Sequence, residues 1–127
     1  MKRVVLAIKN GLMSEAVTLA LKRAGFAVEK AVTQSASQIL LACEAVYAEL
    51  LVMDVTRTGD GTFDLRMQTV KSVKTQNPLI KVALLCDKVS DAAIADKVKC
   101  AKEEGAIDAF FYESVPSDYL ADALDAL

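Results

Sequence analysis

The stretch Leu50-Leu51-Val52-Met53-Asp54 decides the fold of this chain. Four consecutive apolar residues indicate a strand that is covered on both faces, as the central strands of a parallel sheet are. The apolar run ends directly in a carboxylate, and a turn-rich segment with two glycines follows at residues 56–62. Side chains at the carboxyl ends of parallel strands line the functional crevice in sheets of this kind. Asp54 is therefore the first candidate for a functional residue.

Short apolar runs and longer helical segments alternate on both sides of this central strand. The other strands are predicted at Val4–Ile8, Phe26–Val32, Leu79–Leu85 and Ala109–Tyr112. Helices are predicted from Leu12 to Ala24, after Thr33 or Ser35 through Val46, from Phe63 to Thr75, after Ser90 or Asp91 through Ala101, and from Pro116 as a first helical residue. Five β-α units in this order predict a single α/β domain over residues 1–127, a three-layer α/β/α sandwich with a parallel sheet.

The first helix carries its apolar residues at helical spacing. Ser14 is predicted to face water on the opposite side of the helix. The predicted buried face consists of Leu12, Ala16, Leu19 and Ala20.

Composition excludes several classes of function. The net charge is only -2, so a general nucleic-acid-binding surface is not expected. The chain contains no histidine, which excludes histidine-based acid-base and triad catalysis. Cys43, Cys86 and Cys100 are odd in number and far apart, a pattern typical of reduced thiols and of the cytoplasm. No apolar run approaches the ~20 residues of a membrane span, so no membrane association is expected.

The number of β-α units, the length and the LLVMD run together resemble the response-regulator receiver (CheY-like) family. Shorter matches occur at residues 21–28 (LKRAGFAV), 105–108 (GAID) and 116–120 (PSDYL). The resemblance covers essentially the whole chain. It implies a flavodoxin-like, five-stranded parallel sheet of order 2-1-3-4-5 and a non-enzymatic role in the phosphorelay of a two-component system.

In that family, the residue at the position of Asp54 accepts a phosphoryl group with the help of Mg²⁺. Mg²⁺ demands several hard oxygen ligands, and the transferring oxygens need neighbouring positive charge. The family supplies these with an acidic pair after strand one, a Ser or Thr after strand four and a Lys after strand five. The corresponding positions here are Ile8 and Lys9 for the pair, Cys86 followed by Asp87, and Tyr112 or, with a shift of one residue, Glu113.

These departures predict a degenerate site in which Asp54 is a vestigial phosphoacceptor, with no catalytic residue and no bound metal or cofactor. Lys9 is a hypothetical ion-pair partner that takes the electrostatic place of the metal beside Asp54. For Cys86, inert packing is favoured over a redox role, because its flanking residues Leu85 and Asp87 provide no cation that would lower its pKa. Gly59-Asp60-Gly61 lacks the context of a phosphate-binding loop and is interpreted as a turn.

Three functions are compatible with these residues. The favoured one is an atypical receiver (pseudo-receiver) that signals through a protein partner or an output domain. The second is a conventional receiver phosphorylated on Asp54 with Mg²⁺, and the third is an enzyme of flavodoxin-like fold. A homodimer is predicted through the face formed by the fourth helix, the fifth strand and the fifth helix, where basic Lys97, Lys99 and Lys102 lie beside an acidic C-terminal segment.

Overall fold

The computed structural model describes residues 2–87 and 91–127. Its strands are β1 (Arg3–Ala7), β2 (Ala27–Lys30), β3 (Leu50–Asp54), β4 (Lys81–Cys86) and β5 (Ala109–Tyr112). Its helices are α1 (Gly11–Arg23), α2 (Ala36–Ala45), α3 (Phe63–Gln76), α4 (Ala92–Glu103) and α5 (Ser117–Asp125), and a short 3-10 turn spans Gly59–Gly61. The strands form one parallel sheet of order β2-β1-β3-β4-β5. The predicted fold class and strand order are confirmed.

The central strand β3 is buried on both faces, as its unbroken apolar run predicts. Successive side chains of a strand point to opposite faces, so β3 contributes to two separate cores. Leu51 and Met53 pack in the core on the side of α2, α3 and α4. Leu50 and Val52 pack in the other core, with residues of α1 and α5.

The helix starts largely follow the predicted capping residues. The Ser35 hydroxyl accepts a hydrogen bond from the Gln38 N–H, and the Asp91 carboxylate accepts one from the Ile94 N–H at 3.1 Å. The alternative cap Ser90 lies outside the described residues. Pro116 is the residue before α5 and not its first residue, a difference of one position.

The predicted buried face of α1 is wrong at three of its four positions. Ala20 is buried, but Ala16 is exposed, and Leu12 and Leu19 are 87% and 53% exposed. Ser14, predicted to face water, is buried. Two apolar stripes run side by side along this helix, and only the position of the sheet determines which of them is covered. The stripe of Leu12, Ala16 and Leu19 remains on the surface.

In helices α1, α2 and α4, the residue that follows the C-cap has a left-handed backbone conformation with positive φ. In α1 and α4 this residue is a glycine, Gly25 (φ 93°) and Gly105 (φ 80°), for which positive φ carries no steric penalty. In α2 the same position holds Tyr47, with φ 53°. A tyrosine in this conformation costs on the order of 1 kcal/mol relative to glycine.

None of the helices in the described part of the chain combines the length and the apolar character that crossing a bilayer requires.

Candidate functional site

Asp54 lies at the carboxyl end of β3, between the neighbouring strands β1 and β4. Its side chain is almost fully buried, with a residue exposure of 2%. A carboxylate at such depth is costly unless it is paired and hydrogen-bonded. The partners of Asp54 therefore determine what this position can do.

The charge partner of Asp54 is Arg66, which projects from the first half of α3 and is 0% exposed. Its Nη2 lies 3.1 Å from Oδ1 of Asp54, and its Nε donates to the main-chain oxygen of Asp54 at 2.8 Å. Nη2 also contacts the main-chain oxygen of Ala7 at 3.0 Å and the side-chain oxygen of Gln34. One guanidinium thus joins the ends of β1 and β3 to the loop before α2.

Burial lowers the pKa of Arg66, and the charge and hydrogen bond of Asp54 act in the opposite direction. A guanidinium remains protonated under such conditions. A permanent positive charge is therefore held against the Asp54 carboxylate inside the fold.

Lys9 contacts Asp54 through its main chain. Its backbone N–H lies 3.1 Å from both Oδ1 and Oδ2 of Asp54. The Lys9 residue is exposed, and among the described residues the ion pair of Asp54 is made by Arg66. The predicted Lys9–Asp54 ion pair is wrong: Ile8 is drawn into the core at the end of β1, and Lys9 is left at the surface.

Cys86 ends β4 with its side chain fully buried. Its Sγ is 3.8 Å from the main-chain oxygen of Phe111, at the limit of a weak sulfur hydrogen bond. Burial, followed by the charges of Glu113 and Asp87, raises the pKa of the Cys86 thiol to about 11. A thiol with such a pKa is almost wholly protonated at neutral pH, which agrees with inert packing.

Of the two residues Tyr112 and Glu113 at the end of β5, Glu113 is the one whose charge acts on Asp54. Tyr112 packs edge-on against Phe110, with ring centroids 5.7 Å apart. Burial raises the pKa of Glu113, and the negative charges of Asp54 and Asp87 raise it further. At the position where the resemblance seen in the sequence implies a lysine, this chain therefore has a carboxylate within electrostatic reach of Asp54.

The Gly59–Gly61 segment forms a tight turn beside this edge of the sheet, as predicted. The Thr56 N–H donates to the main-chain oxygen of Gly61 at 2.8 Å. A side chain at Gly61 would place its Cβ 2.3 Å from Oγ1 of Thr56, so only glycine fits. Gly61 is therefore required for the close packing of this turn against Thr56.

Arg66 was missed by the sequence analysis, although a signal for it exists. Arg66, Val70 and Val73 follow one another at spacings of four and three residues, and all three lie on the buried face of α3. A cation on such a face requires a buried carboxylate. Gln34 lies in a loop and carries no comparable signal.

The residues at this edge do not fit Mg²⁺. Ile8 and Lys9 offer no side-chain oxygen, and Asp54 already has a cation within 3.1 Å. In the described ranges, residues 2–87 and 91–127, no three His, Cys, Asp or Glu residues lie close enough to hold a metal ion.

No protein-family model and no curated protein matches this chain. Solved structures of response regulators are similar to it. The chemotaxis protein CheY4 of Vibrio cholerae is 18% identical with a TM-score of 0.77, covering 99% of this chain and 98% of that chain. TrrA of Thermotoga maritima, solved with Mg²⁺ and BeF, is 15% identical with a TM-score of 0.74 and the same coverages, 99% and 98%.

A third structure comes from a multidomain protein. It is the N-terminal domain of a response regulator/sensory box/GGDEF protein of Carboxydothermus hydrogenoformans, 16% identical, with a TM-score of 0.71 over 98% of this chain and 92% of that chain. At these identities, the similarity establishes a shared fold. The chain has the CheY-like receiver fold, and the resemblance seen in the sequence is confirmed at that level.

Proposed function

We propose that this domain is an atypical receiver that takes part in signal transduction through protein contacts and not through Mg²⁺-dependent phosphorylation of Asp54. The observation that carries the proposal is the fully buried Arg66 guanidinium against the Asp54 carboxylate. This cation belongs to the chain itself and is present in every molecule. It supplies permanently the positive charge that a conventional receiver obtains from a bound metal ion.

Binding of Mg²⁺ is opposed by this arrangement. A divalent cation beside Asp54 would be repelled by the guanidinium, 3.1 Å from the same carboxylate. Mg²⁺ also requires oxygen ligands in near-ideal octahedral coordination, and the residues after the carboxyl end of β1 provide no carboxylate for it. Asp87 and Glu113 directly follow β4 and β5, and they do not restore the missing pair.

Phosphoryl transfer is opposed for a second reason. Attack on a phosphoryl donor requires a free oxygen of Asp54 in line with the leaving group. Both oxygens accept the Lys9 N–H, one also accepts Arg66, and the residue is 2% exposed. Glu113 adds negative charge where the transferred phosphoryl group would need a cation.

The partner in this proposal is a protein or an output domain, without an enzymatic step, without direct binding of nucleic acid or membrane, and in the cytoplasm. The receiver domain of Carboxydothermus hydrogenoformans, which belongs to a protein with further domains, supports this kind of coupling. A homodimer through the α4, β5 and α5 face is part of the proposal. Exposed Lys97 and Lys99 on α4, and exposed Asp118 and Asp122 on α5, supply the opposite charges for a two-fold contact.

The test is incubation of the purified protein with Mg²⁺ and acetyl phosphate, followed by intact-mass measurement. An ordinary receiver treated in parallel is the positive control, and Asp54→Asn is the matched variant. We expect no phosphoryl adduct on this chain under conditions that modify the control. An adduct on the wild-type chain that is absent from Asp54→Asn would refute the proposal and identify a conventional phosphoacceptor.

A further inference from the structure

A groove of about 290 Å³ opens between α1 and α5, at the carboxyl end of the sheet. Most of its lining is apolar and comes from α1, from α5 and from the segment between β5 and α5. The residues that matter here are Leu12, Met13, Ala16, Val115, Leu120 and Glu113. The volume is close to the lower end of the range for ligand pockets, which suits a single side chain better than a large molecule.

Among the described residues that line this groove, Glu113 is the one that carries a charge. No lysine or arginine among the described residues forms an ion pair with it. Its negative neighbours, Asp54 and Asp87, make a second negative charge unfavourable here and a positive one favourable. Charge complementarity at Glu113 therefore favours a cation in this groove over an anion.

The apolar wall of the groove continues onto the surface of α1. Leu12, Ala16 and Leu19 are exposed and follow one another at spacings of four and three residues, so they form a stripe along one side of the helix. Leu12 and Ala16 belong to both the stripe and the groove. A ligand that fills the groove can therefore extend over an apolar surface outside it.

We propose that this groove binds a lysine or arginine side chain of a protein partner, with the stem against Leu12, Ala16 and Val115 and the cationic head at Glu113. The inference rests on the proposed function, in which the domain acts through protein contacts. Lysine and arginine bury an apolar stem while the charged head stays at a polar edge, and the groove has this combination of surfaces. The stripe on α1 then contacts apolar residues that flank the basic one in the partner.

The test uses the n-hexylammonium ion as a probe, because it reproduces a cation on an unbranched apolar stem. Its uncharged and oppositely charged counterparts, 1-hexanol and hexanoate, serve as controls. Binding is followed by ¹⁵N–¹H NMR of the whole chain. We expect saturable shifts of the Leu12, Ala16, Glu113 and Val115 amides with hexylammonium, a weaker response to hexanol and none to hexanoate.

Two variants locate the binding. Glu113→Gln should weaken hexylammonium binding roughly fivefold and leave hexanol binding unchanged, because it removes the charge and keeps the shape. Leu12→Ser should weaken binding of both probes. Leu41→Ser, at an exposed leucine on α2, is the matched control and should change neither. Unfolding curves are measured to check that each variant is folded.

Equal binding of hexanol and hexylammonium, or an undiminished response in Glu113→Gln, would overturn the proposal. Analytical ultracentrifugation identifies the other occupant: a wild-type dimer that Glu113→Gln dissociates would mean that a second copy of this chain fills the groove, not another protein. These readouts differ from the mass measurement on Asp54. Phosphorylation of Asp54 would overturn the proposed function, whereas loss of cation selectivity would overturn only the assignment of this groove.

Discussion

Helix α3 places one ion pair at each end of the sheet, and the two pairs differ in almost every respect. At the carboxyl end, Arg66 and Asp54 have side-chain exposures of 0% and 2%. At the amino end, Nζ of Lys74 lies 2.8 Å from Oδ2 of Asp108, with side-chain exposures of 27% and 23%. The first pair is inaccessible to water, and the second is partly hydrated.

Burial determines what each pair contributes. An exposed or partly exposed pair exchanges one set of contacts with water for another, and its net contribution is small. A fully buried pair contributes little net stability over an apolar pair, but its partners depend on each other, because neither charge can return to water. We therefore expect the paired residues at the carboxyl end of the sheet to be sensitive to substitution and those at the amino end to tolerate it.

Breaking the buried pair from one side should have the largest effect. Arg66→Met leaves Asp54 as an uncompensated buried charge, and we expect a loss of about 3–5 kcal/mol in the free energy of unfolding, measured in urea. The double variant Arg66→Met/Asp54→Leu should lose clearly less than the single one, because no charge is left unpaired. If the single and double variants lose the same free energy of unfolding, the two residues are not coupled, and the mutual dependence of Arg66 and Asp54 is refuted.

Tyr47 lies in the loop between α2 and β3, at the amino end of the sheet. Here we expect a substitution to raise stability and not to lower it. Tyr47→Gly should raise the free energy of unfolding by about 1 kcal/mol, because glycine adopts positive φ without strain and Tyr47 is 78% exposed. Tyr47→Ala is the control, since it removes the ring and keeps the strain. A loss of stability in Tyr47→Gly would show that the ring has packing contacts of importance.

Lys74→Met tests the partly exposed pair. Burial opposes ionisation of Asp108, but the Lys74 hydrogen bond, the Val82 N–H and the charges of Lys74 and Lys81 outweigh it and hold its pKa below the ordinary value. A lowered pKa contributes stability above the unfolded-state pKa, and this stability is lost as the pH falls through the folded-state value. We expect a cost of less than about 1 kcal/mol at neutral pH.

The same variant should lose less than the wild type on acidification, because its Asp108 has a pKa closer to normal. Urea midpoints measured from neutral to acid pH provide the comparison. A neutral-pH cost as large as that of Arg66→Met would contradict the distinction between the two ends of the sheet.

Glu113→Gln is expected to have the smallest effect, at the carboxyl end. The pKa of Glu113 is raised, so ionisation is less favourable in the folded state, and stability falls as the pH rises through the folded-state pKa. Gln removes this loss, and the variant should be slightly more stable than the wild type at neutral pH. An NMR titration that places the Glu113 pKa at or below its ordinary value would contradict the role given to Asp54 and Asp87.

Local patterns predicted most of the fold. The apolar runs identified all five strands, β5 with its observed bounds, and Ser35 and Asp91 cap the helices that they were expected to start. The buried face of α1 was assigned wrongly, because both of its apolar stripes satisfy helical spacing. The choice between two such stripes depends on the sheet and not on the helix.

The candidate site, like the fold, was predicted in part from the sequence. Asp54 was identified from the strand that it ends, and the departures at Ile8, Lys9 and Cys86 are visible in the sequence alone. The cation beside Asp54 was sought at Lys9 and found at Arg66, twelve residues along the chain from Asp54 and on another element. The position of Lys9 after the neighbouring strand β1 suggested the first, whereas the packing of α3 on the sheet produced the second.

The sequence by itself determined the α/β architecture and the position of Asp54, because strand burial and chain reversal follow from the local order of apolar and turn-forming residues. Only the tertiary structure decided which cation meets Asp54, which stripe of α1 stays at the surface and which residue after β4 and β5 brings its charge to the site. These are contacts between different elements, and their partners are fixed by how the helices pack against the sheet.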